Sequence, residues 1–469
     1  MKLIYVMADS LRRDHVGTYG SPPWGDIYTP NIDRFAQSAA VFDRAYVGSF
    51  PTVPNRRDTL LGRGDVGLPF NRWKALENEE TTFLSYLTEK NVPSMLITDT
   101  ANNVMGRVNL FRDYTAWACN RGQEGDPLWL DDTVPLVHPV PKHLIRYGDK
   151  MWHQVLMNRA HRKLETDWFA PGTYQMAMNW LEANYQRDNF FLWIDTFDPH
   201  EPWDPPQHYI DMYDPGYDGR VFDAPSYGLR RKIGITDREL AHIRARYAGE
   251  VTMVDTWFGN LIAKLSNLGI LDETLVIFTA DHGTCFDGPG DQNMLHKIPS
   301  YGTDGLMVSG GNPPKEPLHH IPLSENVVRI PLVIHVPGKE KQRRIPSIVQ
   351  PWDITATILD YFDVAPQETI VGESLLPFLT GNSAEPPAHR AMAISGTNQL
   401  AQATDGEWSY SIWQGEREPA LFNLQDDADK ERNIAREHPD TAIRFYDGIA
   451  AFMRKQDISE KFIADYNKG

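Results

Sequence analysis

Four polar residues, far apart in the chain, could together carry out metal-assisted attack on an ester. Asp9 and the pair Asp281-His282 each follow an apolar run, and Thr52 lies between them in the sequence. Carboxylates and an imidazole are ligands for a divalent ion, and a hydroxyl activated by metal coordination is a nucleophile. We therefore expect a metal site formed by Asp9, Thr52, Asp281 and His282, in which Thr52 is also the nucleophile.

The two apolar runs explain how the carboxylates come together. Residues 2–8 and 275–280 are short, nearly continuous hydrophobic stretches, which is typical of strands buried on both faces of a parallel sheet. Open α/β sheets bind ligands at the carboxyl ends of their strands. Two such strands would bring Asp9 and Asp281 to one crevice.

Thr52 is predicted to lie at the start of a helix. Residues 55–61 have a helical pattern, and Pro54 stands near the first turn, where its missing N–H costs nothing. The N–H groups and the positive dipole end of a helix favour an anion, which Arg56 could also hold as a fork of donors. The expected chemistry is attack on a tetrahedral oxyanion ester. A simple helix-capping role for Thr52 is the alternative.

The order of these motifs and the residues within them resemble those of the sulfatase branch of the alkaline phosphatase superfamily. This superfamily also includes phosphonate monoester hydrolases. The resemblance covers nearly the whole chain. It rests on residues 9–17, 29–36, 51–63, 198–202, 281–283, 328–334, 372–376 and 421–433.

The resemblance implies an α/β fold of the alkaline phosphatase-like sandwich type. Such a fold has a large mixed, mostly parallel sheet flanked by helices, followed by a small C-terminal α+β subdomain with an antiparallel sheet. We expect a catalytic domain over residues 1–384 and the subdomain over residues 385–469. Residues 391–395, 408–413 and 420–424 have the pattern of short strands, and residues 438–454 that of a final helix.

One departure from the sulfatase pattern bears directly on the reaction. Sulfatases carry at the nucleophile position a cysteine or serine that is oxidised to formylglycine, whereas this chain has Thr52. A secondary alcohol cannot become that aldehyde, and a threonyl sulfate lacks the release route that the aldehyde hydrate provides. A phosphothreonyl ester can be released by in-line attack of an activated water. Phosphate diesters, phosphate monoesters or phosphonate esters are therefore the favoured substrates.

A second departure from the sulfatase pattern limits the choice of metal ion. Many sulfatases have two consecutive aspartates at the opening motif and bind calcium, whereas here Ser10 replaces the second aspartate. One nitrogen ligand with two carboxylates suits Mn²⁺ or Zn²⁺, with Fe²⁺ and Ca²⁺ as the other candidates. One divalent ion is expected. A second ion, for which ligands would come from Asp195, Asp198, His200, His296, His319 or His320, is the less favoured arrangement.

The resemblance also assigns supporting residues. His200, in the motif 198–202, would donate a proton to the leaving-group oxygen, or else be an ordinary turn histidine. The lysine that neutralises the transferred group is Lys297 or, within a stretch that looks like an insertion, Lys315. Side chains expected to bind substrate are those of Ser10, Thr100, Asn102 and Lys315.

Three other functions stay open at this stage. The protein could be a sulfatase that works without formylglycine, a phosphotransferase that passes the phosphoryl group to an acceptor, or a catalytically dead sulfatase-like binding protein. The last reading leaves the joint presence of Asp9, Thr52, Arg56 and Asp281 unexplained. Phosphate release without an added acceptor would separate hydrolysis from transfer.

Composition fits a globular enzyme with a small anionic ester as its partner. The chain has 469 residues, of which 41% are hydrophobic and 11% aromatic, and a net charge of −17. That charge argues against nucleic acid as a partner. We see no signal peptide, no run of membrane-spanning length and no disulfide framework, since Cys119 and Cys285 are the two cysteines. A cytoplasmic location without membrane contact is expected, and a homo-oligomer is compatible with the sequence.

Overall fold

The structure of the protein is a computed structural model. It describes residues 1–64, 73–104, 108–297, 300–306, 318–339, 341–365, 367–380, 390–397, 400–415 and 417–466. The strands are β1 Lys2–Ala8, β2 Ala40–Tyr46, β3 Ser94–Thr98, β4 Ala116–Cys119, β5 Phe190–Thr196, β6 Gly228–Leu229, β7 Thr274–Ala280, β8 Met294–Leu295, β9 Ser300–Tyr301, β10 His319–His320, β11 Arg329–Ile330, β12 Leu332–His335, β13 Arg343–Val349, β14 Ala393–Thr397, β15 Leu400–Thr404, β16 Trp408–Trp413 and β17 Ala420–Asn423.

The helices alternate with the strands over most of the chain. They are α1 Pro30–Ala36, α2 Thr52–Leu61, α3 Phe83–Glu89, α4 Ala101–Val104, α5 Asp149–Ala160, α6 Phe169–Asn184, α7 Gln207–Ile210, α8 Arg230–Ile233, α9 Asp237–Asn267, α10 Glu325–Val328, α11 Pro351–Tyr361, α12 Leu376–Leu379, α13 Pro439–Lys455 and α14 Glu460–Ala464. Among the helices described, none combines the length and the apolar character needed to cross a membrane.

The large sheet is mixed but mostly parallel, as predicted. Strand β1 lies between β5 and β7 and is parallel to both, and β3 and β4 extend the sheet beyond β5. On the other side, β12 runs antiparallel to both β7 and β2, so β2 points the same way as β1. The carboxyl ends of β1, β2, β5 and β7 therefore share one edge of the sheet.

The central strands are buried throughout, which explains their unbroken apolar sequence. Every residue of β1, β5 and β7 is buried, because helices cover the sheet on its faces. Among these helices, α6 packs on both β5 and α9, and α2 packs on α11. The large mixed, mostly parallel sheet flanked by helices that was expected from the sequence is confirmed.

The C-terminal part forms a second sheet with its own apolar cluster. Strands β14 to β17 are antiparallel neighbours in chain order, and α13 packs on β15 and β16. Tyr410, Phe445 and Ile449 contribute to this cluster, and Trp352 of α11 joins it from the larger unit. The predicted boundary between residues 384 and 385 lies outside the described residues.

The second sheet is joined to the segment that precedes α2. The backbone N–H of Phe50 donates to the carbonyl of Gly396 in β14 at 2.7 Å, and the N–H of Gly396 donates to the carbonyl of Gly48 at 3.1 Å. The Ser395 hydroxyl donates to the carbonyl of Val47 at 2.7 Å. The C-terminal sheet therefore fixes the backbone that leads into Thr52.

Candidate metal centre and nucleophile

Asp9 and Asp281 meet because their strands are neighbours in register. Ala8, the last residue of β1, pairs with Ala280, the last residue of β7, and each aspartate follows directly. Together with His282 they offer ligand atoms that all lie within 4.8 Å of one another. All three side chains are fully buried. The predicted cluster thus forms at the edge of the sheet where it was expected.

The His282 ring presents one nitrogen to the carboxylates. Its Nδ1 lies 3.0 Å from the carbonyl oxygen of Gly283, so Nδ1 carries the proton and Nε2 has a free lone pair. Nε2 is 3.5 Å from Asp281 Oδ2 and 3.9 Å from Asp9 Oδ1. Burial lowers the pKa of His282 to about 3, which keeps the imidazole neutral. A neutral imidazole is the form that binds a metal.

A divalent cation would balance the negative charge of the carboxylates of Asp9 and Asp281. Asp9 Oδ2 is buried and has no hydrogen-bond partner among the described residues. Burial, together with the neighbouring charge of Asp281, raises the pKa of Asp9 well above its usual range. Two buried carboxylates beside a neutral imidazole therefore fit a divalent ion, and Asp9, Asp281 and His282 are the residues that would hold it.

Thr52 is the first residue of α2 and stands beside this cluster. Its Oγ1 lies 3.5 Å from His282 Nε2, and the residue is buried. The preceding loop is tied to the same helix, since both the backbone N–H and the hydroxyl of Ser49 donate to the Asp58 carboxylate, from 2.5 and 3.0 Å. The hydroxyl is thus held at the start of a ten-residue helix, where an anion is favoured.

Arg56 has more protein partners than the sequence indicated. Its Nη1 donates to Asp281 Oδ2 at 2.7 Å and to the Thr52 carbonyl at 3.1 Å, and lies 3.2 Å from Asp9 Oδ2. Nε and Nη2 donate to the two oxygens of Asp195, at 2.9 and 2.7 Å. All three guanidinium nitrogens thus contact protein oxygens, so Arg56 neutralises the carboxylates and links Thr52 to them.

Asp195 contacts Arg56, and Asn103 in turn contacts Asp195. The sequence did not indicate these two contacts. Asn103 Nδ2 donates to Asp195 Oδ2, and Thr98 Oγ1 lies 3.5 Å from the same oxygen. Asn103 is buried, whereas the predicted substrate ligand Asn102 is half-buried. Thr100 is buried, and its Oγ1 makes no hydrogen bond to any residue that the structure describes. The short helix α4 decides which of the two asparagines faces the sheet.

Ser10 and Lys297 lie beside Asp9 Oδ1, whereas Arg56 lies beside Asp9 Oδ2. Ser10 Oγ donates to Asp9 Oδ1 at 2.8 Å and accepts a short hydrogen bond from Lys297 Nζ, which lies 3.9 Å from Asp9 Oδ1. Ser10 has φ 61°, a left-handed conformation that is costly for serine. Burial lowers the pKa of Lys297, and the charges of Glu201 and Asp9 oppose that effect. Lys315, the alternative lysine, lies outside the described residues.

His200 is buried near Lys297 and next to a second group of polar residues. Its Nδ1 lies 2.6 Å from the Glu201 carbonyl and 3.3 Å from Glu201 Oε2, and its ring stacks on Phe197 with centroids 4.0 Å apart. Burial lowers the pKa of His200 well below its usual value, while the charge of Glu201 opposes this. Sequence reasoning did not single out Glu201.

The residues considered for a second metal ion lie apart or have other partners. Asp195 binds Arg56, and Asp198 Oδ2 accepts from the backbone N–H of Ala170 at 2.9 Å. The ring of His296 stacks between Trp203 and Tyr227, while His319 and His320 belong to β10, which pairs with β9. In the part of the chain that the structure describes, Asp9, Asp281 and His282 are the one cluster of three such ligands.

The structure has an alkaline phosphatase-like fold, with a cluster of possible metal ligands at the carboxyl ends of a mostly parallel sheet and a buried hydroxyl at the start of a helix. The family profile described as Sulfatase matches residues 2–364, and the chain belongs to this family. The family predicted from the sequence is confirmed.

Known relatives include two arylsulfatases. Arylsulfatase K of Mus musculus is 26% identical over 313 residues, which are 64% of this chain and 48% of that protein. An arylsulfatase of Clostridium perfringens (strain 13 / Type A) is 24% identical over 407 residues, which are 80% of this chain and 77% of that protein. The chain thus spans about half the length of the arylsulfatase K relatives that it matches.

Solved structures of phosphonate monoester hydrolases share the fold. The enzyme of Agrobacterium radiobacter superposes with a TM-score of 0.67 at 19% identity and covers 97% of this chain and 96% of its own. The enzyme SpPMH of Silicibacter pomeroyi gives a TM-score of 0.69 at 18% identity, with the same coverage of 97% and 96%. At this level of identity the likeness concerns the fold.

Proposed function

We propose that the protein is a metal-dependent ester hydrolase that cleaves phosphate diesters, phosphate monoesters or phosphonate esters through a covalent phosphothreonine at Thr52. The observation that carries the proposal is the position of the Thr52 hydroxyl, buried at the start of α2 and 3.5 Å from His282 Nε2. This is the place at which sulfatases use formylglycine. A threonine there favours phosphoryl over sulfuryl transfer, because water can release a phosphothreonyl ester by in-line attack.

Asp9, Asp281 and His282 would hold one divalent ion, and one nitrogen with two carboxylates favours Mn²⁺ or Zn²⁺. Such an ion, when bound, supplies Lewis-acid chemistry that lowers the pKa of the nucleophile and polarises the ester oxygens. Counted as ionised, the carboxylates of Asp9, Asp195 and Asp281 exceed the cations Arg56 and Lys297 by one charge. A divalent ion would therefore turn the site from net negative to net positive, which favours an anionic ester.

The side chains then have separate tasks. Arg56 holds Asp9, Asp281 and the Thr52 carbonyl together, so that nucleophile and ligands keep a fixed geometry. Lys297 and Ser10 lie on the other side of Asp9 and bind the non-bridging oxygens of the transferred group. Thr100 brings a buried hydroxyl without a hydrogen bond and is a further substrate-binding candidate. His200 protonates the departing oxygen.

Sulfate ester hydrolysis is the second candidate, because the curated relatives are named arylsulfatases. In that case Thr52 would have to transfer sulfate by a route that does not need formylglycine. The two functions share the metal cluster and Lys297. They differ in the atom that Thr52 attacks, so a comparison of matched esters separates them.

The deciding experiment is turnover of p-nitrophenyl phosphate, bis-p-nitrophenyl phosphate, p-nitrophenyl phenylphosphonate and p-nitrophenyl sulfate, which release the same chromophore. The protein is stripped of metal and reloaded with Mn²⁺ or Zn²⁺ before each assay. We expect the phosphorus esters to be cleaved faster than the sulfate, and the best of them to define the subclass. Cleavage of the sulfate alone would reject the phosphothreonine mechanism in favour of the second candidate.

A further inference from the structure

Glu201 is a buried carboxylate whose two oxygens face different partners. Oε1 accepts short hydrogen bonds from Arg146 Nη1 and from the Tyr227 hydroxyl. Oε2 lies 3.3 Å from His200 Nδ1 and 3.8 Å from His296 Nδ1. The side chain is 1% exposed. Oε1 thus fixes the position of the carboxylate, and Oε2 faces the imidazole rings of His200 and His296.

These contacts fix which nitrogen of His200 carries a proton. Nδ1 lies 2.6 Å from the backbone carbonyl of Glu201, an acceptor that cannot donate, so Nδ1 is protonated. In the neutral ring Nε2 is then unprotonated. His200 can donate from Nε2 only after the ring has taken a second proton and become an imidazolium.

An imidazolium at this position needs a nearby negative charge. Lys297, which follows β8, and Arg146, from the loop before α5, both disfavour a charged His200, and burial disfavours it further. Glu201 is the group that favours it. Burial raises the pKa of Glu201, but neighbouring positive charges, including those of Arg146 and Lys297, outweigh it and keep that pKa well below the usual value, so Glu201 is ionised. The Tyr227 hydroxyl donates a hydrogen bond to Glu201, and Glu124 forms an ion pair with Arg146.

We propose that Glu201 is a positioning residue for the reaction, which holds the His200 ring through Nδ1 and stabilises the imidazolium that gives its Nε2 proton to the leaving group. The proposal rests on the proposed function and adds a residue to it. His200 first takes a proton from solvent at Nε2 and becomes an imidazolium. In the step concerned, the bond from Thr52 Oγ1 to phosphorus forms after the hydroxyl proton has passed to solvent. The bond from phosphorus to the leaving oxygen breaks with its electron pair, that oxygen takes the Nε2 proton, and His200 is left neutral.

A purely structural role for Glu201 makes a different prediction about leaving groups. A p-nitrophenolate ion is stable enough to depart without a proton, whereas an alkoxide is not, so general-acid catalysis matters mainly for alkyl esters. A residue that only supported the fold would slow both kinds of ester alike. The dependence on the leaving group therefore separates the two roles.

The test compares Glu201→Gln with wild type on a p-nitrophenyl and an alkyl ester of the same phosphorus acid, with Glu124→Gln as the matched control. Glu124 is a carboxylate of the same cluster that accepts from the Tyr147 hydroxyl at 2.8 Å and does not contact His200 in the described structure. We expect Glu201→Gln to lower kcat/KM for the alkyl ester by about 100-fold or more and for the p-nitrophenyl ester by less than about 5-fold. Its alkyl-ester rate should also fall at lower pH than that of wild type, because the imidazolium has lost its counter-charge. Glu124→Gln should show neither change.

An equal loss on both esters, or no loss on the alkyl ester, would overturn the proposal. If Glu201→Gln does not fold, Tyr227→Phe serves as the second variant, because it removes one of the two hydrogen bonds to Oε1. It should give a smaller loss of kcat/KM that is again confined to the alkyl ester. An equal loss on both esters would count against the role proposed for Glu201. Failure of the proposed function is a separate outcome, since wild type would then cleave sulfates alone. The same comparison with p-nitrophenyl and alkyl sulfates would still test Glu201.

Discussion

Asp195 holds Arg56 through two parallel hydrogen bonds, from Nε to Oδ2 at 2.9 Å and from Nη2 to Oδ1 at 2.7 Å. Both side chains are about 1% exposed. This bidentate pair leaves Nη1 to reach Asp9, Asp281 and the Thr52 carbonyl. The orientation of Thr52 therefore depends on a carboxylate that, among the described contacts, touches neither Thr52 nor the cluster of Asp9, Asp281 and His282.

Asp195→Asn should weaken both the fold and the reaction. The substitution removes the charge of the bidentate partner and leaves Arg56 with the carboxylates of Asp281 and Asp9, and breaking a buried pair costs about 3–5 kcal/mol. We expect the free energy of unfolding to fall by about 3 kcal/mol and kcat by about 10-fold or more, with metal content unchanged. Urea unfolding, metal analysis and turnover of the best p-nitrophenyl ester measure the three quantities. The exposed Asp218→Asn is the control, and a variant as active as wild type would show that Arg56 keeps its place without Asp195.

The sequence was sufficient to predict that Asp9, Asp281 and His282 lie together, but not that Asp195 and Asn103 support Arg56. Asp9 and Asp281 each follow an apolar run directly, so strand pairing alone brings them together. Asp195 lies inside β5, where the face on which a side chain lies depends on the sheet rather than on any local signal. Asn102 and Asn103 are neighbours on the short helix α4, and the sequence did not indicate which of them faces Asp195.

The C-terminal sheet was only partly predicted, for a related reason. The strands β14, β16 and β17 overlap the segments expected from their aromatic and β-branched residues. Strand β15 was missed because Leu400–Thr404 is poor in such residues, and pairing with β14 and β16 makes it a strand. The contacts from β14 to the loop before Thr52 join segments about 350 residues apart in sequence, and no local pattern indicates them.

Thr52→Ala should remove the nucleophile without removing the metal site. We expect kcat to fall by at least about 1000-fold while metal content and the midpoint of thermal unfolding stay close to wild type, because Thr52 Oγ1 makes its one described contact, at 3.5 Å, with His282. Thr88→Ala, on α3, is the control, since Thr88 is exposed and its hydroxyl donates to the backbone carbonyl of Leu84. Mass analysis of rapidly quenched wild type should find one added phosphoryl group on Thr52. Turnover that survives in Thr52→Ala would contradict a covalent route.

Metal binding should stabilise the protein through Asp9, Asp281 and His282. A ligand that binds only the folded state adds about 2.7 kcal/mol of stability at a concentration 100-fold above its Kd. We expect metal-stripped protein to melt at a higher temperature when Mn²⁺ or Zn²⁺ is added, and Asp9→Asn to lose most of this shift. Differential scanning calorimetry with a metal titration measures the effect. A shift that is unchanged in Asp9→Asn but lost in a variant of Asp198 or His296 would place the ion elsewhere.

Asp198 should make stability depend on pH in a direction opposite to that of most carboxylates. Burial raises the pKa of Asp198 from an ordinary value of 3.8 to about 7, so the folded protein keeps a proton that the unfolded chain releases. Its contribution to stability is therefore fully present below about pH 4 and is lost as the pH rises towards 7. Since a difference of 1 in pKa corresponds to about 1.4 kcal/mol, the loss amounts to at most about 4 kcal/mol.

Asp198→Asn tests this contribution, because an amide resembles the protonated acid and can still accept from the Ala170 N–H. We expect the variant to gain stability relative to wild type between about pH 5 and about pH 7, and the difference to level off above that range. Urea unfolding of both metal-stripped proteins across these pH values measures it, and groups that titrate equally in both proteins cancel in the difference. A difference independent of pH would mean that Asp198 is ionised in the folded protein throughout the range.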